Sequence, residues 1–190
     1  MWQEMARFSL KLVQYGLTHS RFGNISARVD DGLLITRSGS MLDELNEDSF
    51  VFCRLDHAGP FDPAASSETI VHRRIYLLTS ALAVIHVHAP YAVALSILNA
   101  KDYLIPQDAE SKHFLQRIPL VRGGIGSDEL AANAAGALSR YNAIIARGHG
   151  TFAVGKTAEE AYVNTCLAEH ACKILYLTGN RDQGLGIGEY

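Results

Sequence analysis

The stretch AVIHVHAP at residues 83–90 is the segment from which the fold can be worked out most directly. Its apolar and β-branched residues predict a buried strand that ends near His88. Because side chains alternate between the two faces of a strand, His86 and His88 should point to one face and the apolar residues to the other. Pro90 is favoured in the first turn of a helix, so a helix should begin there and continue through Leu98.

Around this segment, Asp, Glu, Lys and Arg are absent from the whole stretch between Ile75 and Ala100. About 20 apolar residues are enough to cross a membrane. However, the two histidines, Pro90 and Asn99 make a membrane span a poor explanation of this stretch. We interpret it instead as the end of a helix, a buried strand, a turn and a second helix.

Hairpins and helices are predicted on both sides of the central strand. Asn24–Val29 and Leu33–Thr36 should be strands joined by a hairpin turn at Asp30-Asp31-Gly32, and Phe50–Leu55 should be a third strand. Further strands are predicted at residues 118–122, 143–146 and 152–154, and further helices at residues 2–17, 66–79, 127–139 and 157–177. This order predicts an α/β, three-layer architecture with a mixed or antiparallel sheet between helices.

The composition is that of a globular protein that does not bind nucleic acid. Of 190 residues, 48% are hydrophobic and 19% are charged, which allows one substantial core. The net charge is −3 and no long basic cluster occurs, so any specificity for phosphate must be local. Three cysteines without a C-x-x-C pair, and a first segment without an apolar signal region, predict reduced thiols and a cytoplasmic location.

The chain shows no internal linker, so residues 1–178 are expected to form a single domain. Residues 179–190 are rich in glycine and are expected to form a mobile tail.

Three histidines are candidate metal ligands. Two imidazoles on one face of a strand can chelate one ion, although an H-x-H pair alone also fits ordinary core or surface histidines. His86 and His88 lie in an uncharged run, where polar rings cost free energy unless they have partners. His149 lies between two glycines, which let the backbone approach a site closely. Three imidazoles and one carboxylate would suit zinc, and His72, four residues after Glu68, would lie on the same helix face as that carboxylate.

Three elements rich in small residues are candidates for binding an anion. They are Gly23-Asn24, Ser38-Gly39-Ser40 and Ser66-Ser67, the last of which should cap a helix. Backbone N–H groups, hydroxyls and a helix N-terminus are suited to phosphate. Each element alone is ordinary turn or cap chemistry, so an anion site depends on their convergence.

Five runs of sequence together resemble the class II aldolase/adducin family. They are Phe22-Gly23-Asn24-Ile25-Ser26, Leu34-Ile35-Thr36-Arg37-Ser38-Gly39, Ser66-Ser67-Glu68, Ile85-His86-Val87-His88-Ala89-Pro90 and Gly148-His149-Gly150. They occur in the family's order and spacing between about Phe8 and Leu177. Their joint occurrence is specific for the family and much less specific for a substrate.

The resemblance implies a role for each of these residues. Zinc, or another divalent ion, would be held by His86, His88 and His149. Glu68 would ligate the resting metal and serve as the catalytic acid/base. The phosphate of a sugar phosphate would be bound by Asn24, Ser38, Gly39, Ser66 and Ser67. The resemblance also implies a central, largely antiparallel sheet, and a homotetramer with active sites between subunits.

The activity implied by the resemblance is that of a zinc-dependent aldehyde-lyase. It would cleave a ketose 1-phosphate, similar to L-fuculose 1-phosphate, into dihydroxyacetone phosphate and a small aldehyde. A methylthioribulose-1-phosphate dehydratase or a ribulose-5-phosphate 4-epimerase would use the same zinc site, although the epimerase branch typically has Asp where this chain has Glu68. An adducin-like scaffold, or a protein that binds sugar phosphates without turnover, is the non-enzymatic alternative.

Two positions depart from the pattern of the family. Related aldolases use a tyrosine of the neighbouring subunit as proton donor, and Glu110 stands near the expected position. Glu110, Tyr103 or Tyr190 could replace that tyrosine, the substrate could differ, or Glu110 could be an ordinary surface carboxylate. Arg37 occupies a loop position where relatives frequently have proline, so it could contact phosphate or carboxylate or simply face solvent.

Overall fold

A central sheet of eight strands organises the molecule, for which the computed structural model describes residues 1–179. The strands are β1 Gly23–Val29, β2 Gly32–Thr36, β3 Phe50–Arg54, β4 Ala83–Val87, β5 Tyr103–Leu104, β6 Ile118–Val121, β7 Ala143–Ala146 and β8 Gly150–Gly155. Their order across the sheet is β3-β2-β1-β4-β8-β7-β6-β5. Neighbouring strands are antiparallel except for β6 and β7, which run parallel. The predicted mixed, largely antiparallel sheet is therefore confirmed.

Helices cover both faces of this sheet. They are α1 Trp2–Gln14, α2 Thr69–Leu78, α3 Pro90–Leu98, α4 Ala109–Phe114, α5 Asp128–Leu138 and α6 Ala158–Leu177. One core lies between the sheet and α2 and α5, and a second core lies between the opposite face and α1, α3 and α6. This arrangement is the three-layer α/β/α architecture that the sequence predicted.

The segment around residues 83–90 folds as predicted and lies at the centre of the sheet. All five residues of β4 are buried, because helices cover both of its faces. Ile85 and Val87 join the core with α1, α3 and α6, whereas Val84 joins the core with α2 and α5. His86 therefore points to the face covered by α2 and α5. None of the described helices is long and apolar enough to cross a membrane.

The starts of three helices test the predicted caps. Ser127 and Thr157 cap α5 and α6, since their hydroxyls accept from backbone N–H groups three residues later. The prediction that Ser66 or Ser67 caps α2 is wrong, because the cap position is occupied by Glu68. The hydroxyl of Ser66 instead accepts from the Glu68 N–H at 3.3 Å.

Other differences concern short or terminal segments. The two-residue strand β5 and the six-residue helix α4 were not predicted. The predicted mobile tail falls almost entirely outside the described residues, and so does Tyr190. The division into one domain at residues 1–178 stays a prediction.

Candidate metal centre and anion pocket

The antiparallel pairing of β4 with β8 brings the three candidate ligands together. Val87 pairs with Thr151, so His88, one residue after Val87, and His149, two residues before Thr151, lie at the same end of the two strands. The ring centroids are 5.0 Å apart for His86 and His88, 4.6 Å for His86 and His149, and 4.9 Å for His88 and His149. One nitrogen of each ring lies within 4.8 Å of the others, which is within reach of one shared ion.

His86 shows why these rings suit a metal. Its Nδ1 donates to the Thr151 carbonyl at 2.9 Å, which leaves Nε2 as the nitrogen with a lone pair. Phe152 stacks on the ring at a centroid distance of 4.1 Å and fixes its plane. The buried Nε2 has no hydrogen-bond partner among the described residues, and neither does Nδ1 of His149. A divalent ion would satisfy both nitrogens, so the residues present fit a metal.

Burial also keeps the three imidazoles in the neutral form that binds metals. It lowers the pKa of His86 well below the ordinary value, and the neighbouring histidines lower it further. Burial and the proximity of His88 lower the pKa of His149 to about 4. Burial lowers the pKa of His88 as well. Protons therefore compete less with an ion for these nitrogens than they do at ordinary imidazoles.

Two glycines permit the close packing of strands around His86. A Cβ on Gly23 would lie 2.3 Å from the carbonyl oxygen of His86, and a Cβ on Gly150 would lie 2.3 Å from that of Val87. Such contacts are too short for any side chain, so β1 and β8 can flank β4 this closely only with glycine at these points.

The predicted anion-binding residues converge on the same place. A cavity of about 230 Å³ is lined by the three histidines together with Asn24, Ser38, Gly39, Ser66, Ser67 and Glu68. The structure thus brings together every predicted metal-binding and phosphate-binding residue. Their individual roles stay predictions.

Glu68 stands beside the histidines with one free carboxylate oxygen. It is 3% exposed, and its Oε1 accepts from the Gly126 N–H at 2.9 Å. Its Oε2 is buried and has no partner among the described residues. Burial raises the pKa of this carboxyl, and the Gly126 N–H opposes the shift. The nitrogens within 4.8 Å of one another belong to the histidines alone, so its metal contact stays a prediction.

The structure adds residues that the sequence analysis missed. Arg21 lines the cavity and donates to the Gly39 carbonyl at 3.2 Å. Arg37, which the sequence analysis did consider as a contact for phosphate or carboxylate, also lies in the lining, where it donates to the Asp48 carbonyl at 2.7 Å. Phe22 stacks on His88 at 5.5 Å, and Ile125 lies in the lining as well. The signals for them were the position of Arg21-Phe22 next to Gly23-Asn24, and the glycine-rich run before α5.

Two of the candidate proton donors, Glu110 and Tyr103, lie away from the histidines, and the third, Tyr190, lies outside the described residues. Glu110 is exposed on α4 and lines a different, apolar depression with Tyr162 and His170. The Tyr103 ring is covered by the Arg117 guanidinium, 4.2 Å from its centroid. Neither residue lines the histidine cavity.

His72 lies behind the cavity and does not line it. Its Nδ1 is 2.7 Å from the Ser26 hydroxyl, which is 2.7 Å from the Tyr76 hydroxyl. Complete burial lowers its pKa to about 3. Its ring meets the Phe152 ring edge-on at 6.1 Å, and Phe152 in turn stacks on His86. His72 therefore supports the wall behind a candidate ligand.

Comparisons with known proteins agree with this geometry. Residues 3–176 match the family model described as Class II Aldolase and Adducin N-terminal domain. An L-fuculose phosphate aldolase of Methanococcus maripaludis is 33% identical over 161 residues, which cover 83% of this chain and 86% of that protein. A 3-oxo-tetronate 4-phosphate decarboxylase of Pectobacterium atrosepticum is 30% identical over 188 residues, which cover 94% of this chain and 84% of that protein. The crystal structure of an L-fuculose-1-phosphate aldolase from Thermus thermophilus superposes with a TM-score of 0.88 at 32% identity, covering 99% of this chain and 98% of that one.

Proposed function

Because the chain belongs to the class II aldolase and adducin family, we propose that it is a zinc-dependent aldehyde-lyase that cleaves a ketose 1-phosphate. The products would be dihydroxyacetone phosphate and a small aldehyde, as for L-fuculose 1-phosphate. The observation that supports this most directly is the convergence of three imidazole nitrogens, within 4.8 Å of one another, on a cavity lined by small hydroxyl-bearing loops.

His86, His88 and His149 would hold the ion, with Glu68 as the fourth ligand in the resting state. When bound, zinc supplies Lewis acidity, which draws electrons from the ketone and lowers the cost of a carbanion at the adjacent carbon. The chain contributes neutral rings whose orientation is fixed before binding, most clearly by the bond from His86 to the Thr151 carbonyl.

The loops opposite the histidines would seat the phosphate. Asn24, Ser38, Ser66 and Ser67 supply short polar side chains at the cavity wall, and Gly39 would add its backbone N–H group. The guanidinium groups of Arg21 and Arg37 add positive charge beside them. Fixing the phosphate fixes the distance from the reacting carbons to the ion site, which orients the bond to be broken.

Glu68 would move the proton at the carbon next to the ketone. In the cleavage direction, loss of the hydroxyl proton from the departing carbon forms the aldehyde carbonyl, and the electrons of the broken bond pass to the ketone fragment. Glu68, displaced from the ion site by the substrate and protonated from solvent, would then donate this proton to that fragment's carbon, and the hydroxyl proton, taken up by a second group, would return to solvent. Burial raises the pKa of Glu68, which favours the protonated form that this step needs.

A second group must accept the hydroxyl proton. We assign this role to Glu110 of a neighbouring copy in a homotetramer, because Glu110 is exposed on α4 and lies outside the cavity of its own chain. Tyr103 and Tyr190 are the alternatives. The tetramer and the assignment rest on the family pattern.

Decarboxylation of a 3-oxo sugar acid phosphate is the second candidate. The 3-oxo-tetronate 4-phosphate decarboxylase covers more of this chain than the aldolase from M. maripaludis does, 94% against 83%. The two reactions share a carbanion next to a ketone and differ in the group that leaves. Arg21 and Arg37 at the cavity would suit a carboxylate as well as a phosphate.

The test is a substrate screen with the zinc-loaded protein. Ketose 1-phosphates are assayed for dihydroxyacetone phosphate, and 3-oxo sugar acid phosphates for carbon dioxide, with the His88→Ala variant as the control. We expect release of triose phosphate from at least one ketose 1-phosphate and none with the control. Release of carbon dioxide from a 3-oxo sugar acid phosphate, with no triose phosphate released from any ketose 1-phosphate, would establish the second candidate, and water loss without either reaction would point to a dehydratase.

A further inference from the structure

We propose that Arg147 and Glu169 are positioning residues of the metal centre. They bind opposite ends of α3 by hydrogen bonds and so hold this helix as a spacer, called the brace below, between the segments that carry His88 and His149. The inference rests on the proposed metal site. It concerns two charged residues outside the histidine cavity, each of which makes several hydrogen bonds to one end of the same helix.

The need for a brace follows from where the ligands lie relative to the sheet. His86 is inside β4 and its backbone is paired with Phe152 of β8. His88 follows the last residue of β4, and His149 precedes the first residue of β8. The strand ladder therefore fixes one ligand and leaves the other two at its open end.

Glu169 holds the start of α3, two residues after His88. It lies on α6 and is largely buried, and its two carboxylate oxygens accept from the backbone N–H groups of Tyr91 and Ala92, both at 2.9 Å. The residue at the cap position of α3 is Ala89, which has no side chain able to accept these bonds. A carboxylate at this end also complements the helix dipole.

Arg147 holds the other end of α3, two residues before His149. Its guanidinium donates to four acceptors at and beyond the last turn of the helix, namely the carbonyl oxygens of Ser96 (2.8 Å), Asn99 (2.7 Å) and Lys101 and the carboxylate of Asp102 (3.1 Å). A cation here satisfies carbonyls that have no partner within the helix and complements the dipole.

A further bond joins the brace to the turn that carries His149. The Gly148 N–H donates to the Ser96 hydroxyl at 2.9 Å, so the helix contacts the residue directly before the ligand. Gly148 has a φ of +68°, which makes this turn a left-handed one that glycine favours. The spacing of His88 and His149 is thereby tied to the length of α3.

Zinc affinity in the metal-free protein tests the inference. The variants are Arg147→Gln, the milder Arg147→Lys, and Glu169→Gln. The matched control is Arg28→Gln, because Arg28 donates to the Tyr76 carbonyl near the end of α2 at 2.9 Å and contacts no histidine of the centre. The zinc dissociation constant is measured by competition with a coloured chelator. Urea unfolding gives the stability of the metal-free protein. The visible absorption spectrum of the cobalt-substituted protein reports on the geometry of the ligands.

We expect at least tenfold weaker zinc binding in Arg147→Gln and Glu169→Gln, an intermediate loss in Arg147→Lys, and an altered cobalt spectrum. Arg28→Gln should lose stability yet bind zinc within twofold of wild type. If the brace variants lose stability like the control and bind zinc as tightly as wild type, the brace is refuted and the metal site stands. If the wild type itself binds no zinc, both the brace and the proposed function are refuted.

Discussion

His86 has two ring nitrogens in opposite environments, and this asymmetry is the clearest sign of chemistry at the level of single residues. Nδ1 is engaged by the Thr151 carbonyl, and Nε2 is buried without a partner among the described residues. Glu68 repeats the pattern, since one oxygen accepts from the Gly126 N–H and the other has no partner in residues 1–179. Both free atoms belong to residues that line the same cavity.

Replacing Glu68 by Gln should separate metal binding from proton transfer. The amide oxygen can still accept from the Gly126 N–H, and the three histidines are unchanged. We expect zinc to be retained and turnover to fall by roughly 10²- to 10⁴-fold, because an amide cannot carry the proton. Metal analysis and the triose phosphate assay measure the two effects, and undiminished turnover would remove Glu68 as the acid/base.

His72 should make the stability of the metal-free protein depend on pH. Its ordinary pKa of 6.5 is lowered to about 3 by burial. Between these values the unfolded chain binds a proton that the folded chain does not, so the free energy of unfolding falls as the pH falls, by about 1.4 kcal/mol per pH unit from this residue. His72→Asn keeps a polar atom for Ser26 and should lose correspondingly less stability between pH 6.5 and 5. Urea midpoints give the comparison, and equal losses would contradict it.

Residue types and spacing made the three histidines candidates, and the family resemblance joined them with Glu68 into one ligand set, but neither revealed every contact around them. His86 and His88 follow from strand periodicity, and His149 from its flanking glycines. Arg21 was missed because its position next to Gly23-Asn24 does not by itself show that its side chain reaches Gly39 in another loop. Glu110 is different, since a residue proposed to act in a neighbouring copy does not line the histidine cavity of its own chain.

At the level of elements, β4 is the strand on which the site is built. It is buried on both faces and carries one ligand within the strand and another directly after it. Its neighbours β1 and β8 approach at Gly23 and Gly150, where a Cβ would overlap the backbone of β4. The apolar residues of this strand thus fix the sheet while its histidines supply the candidate site.

Gly150→Ala should disturb the site through the backbone. The new Cβ would lie 2.3 Å from the Val87 carbonyl and 3.0 Å from Cε1 of His86, so β8 must move away. We expect a loss of about 1–3 kcal/mol in the free energy of unfolding and weaker zinc binding. The control is Gly136→Ala in α5, where nothing lies within 4 Å and a small gain in stability is expected. Unfolding curves and zinc titrations that match wild type would refute the role of Gly150.

The elements that were predicted are those with strong local signals. The hairpin of β1 and β2 follows from its Asp-Asp-Gly turn, and α5 and α6 from their caps. The strand β5 has two residues and α4 has six, too few for a periodic pattern. The strand order depends on pairings between distant segments, such as β1 with β4, which a local pattern does not encode.

For the whole molecule, a bound ion should raise stability measurably. A ligand that binds only the folded state raises the free energy of unfolding by mass action. The gain is about 2.7 kcal/mol when the free ligand concentration is one hundred times the dissociation constant. We expect close to one zinc per chain after gentle purification, and a lower melting temperature after chelation. The His88→Ala variant should show a much smaller shift. Absence of metal and of any shift on adding zinc to the wild type would count against the site.

The distance along the chain between His88 and His149 has a further consequence. An ion shared by these residues would tie together two points about 60 positions apart, closing a ring that contains α3, α4 and α5. The shared ion would therefore be a cross-link that forms when zinc binds and is lost when zinc is removed. If a protease nicked the backbone once inside this ring, the two fragments would still be tethered through zinc, and a chelator would remove that tether.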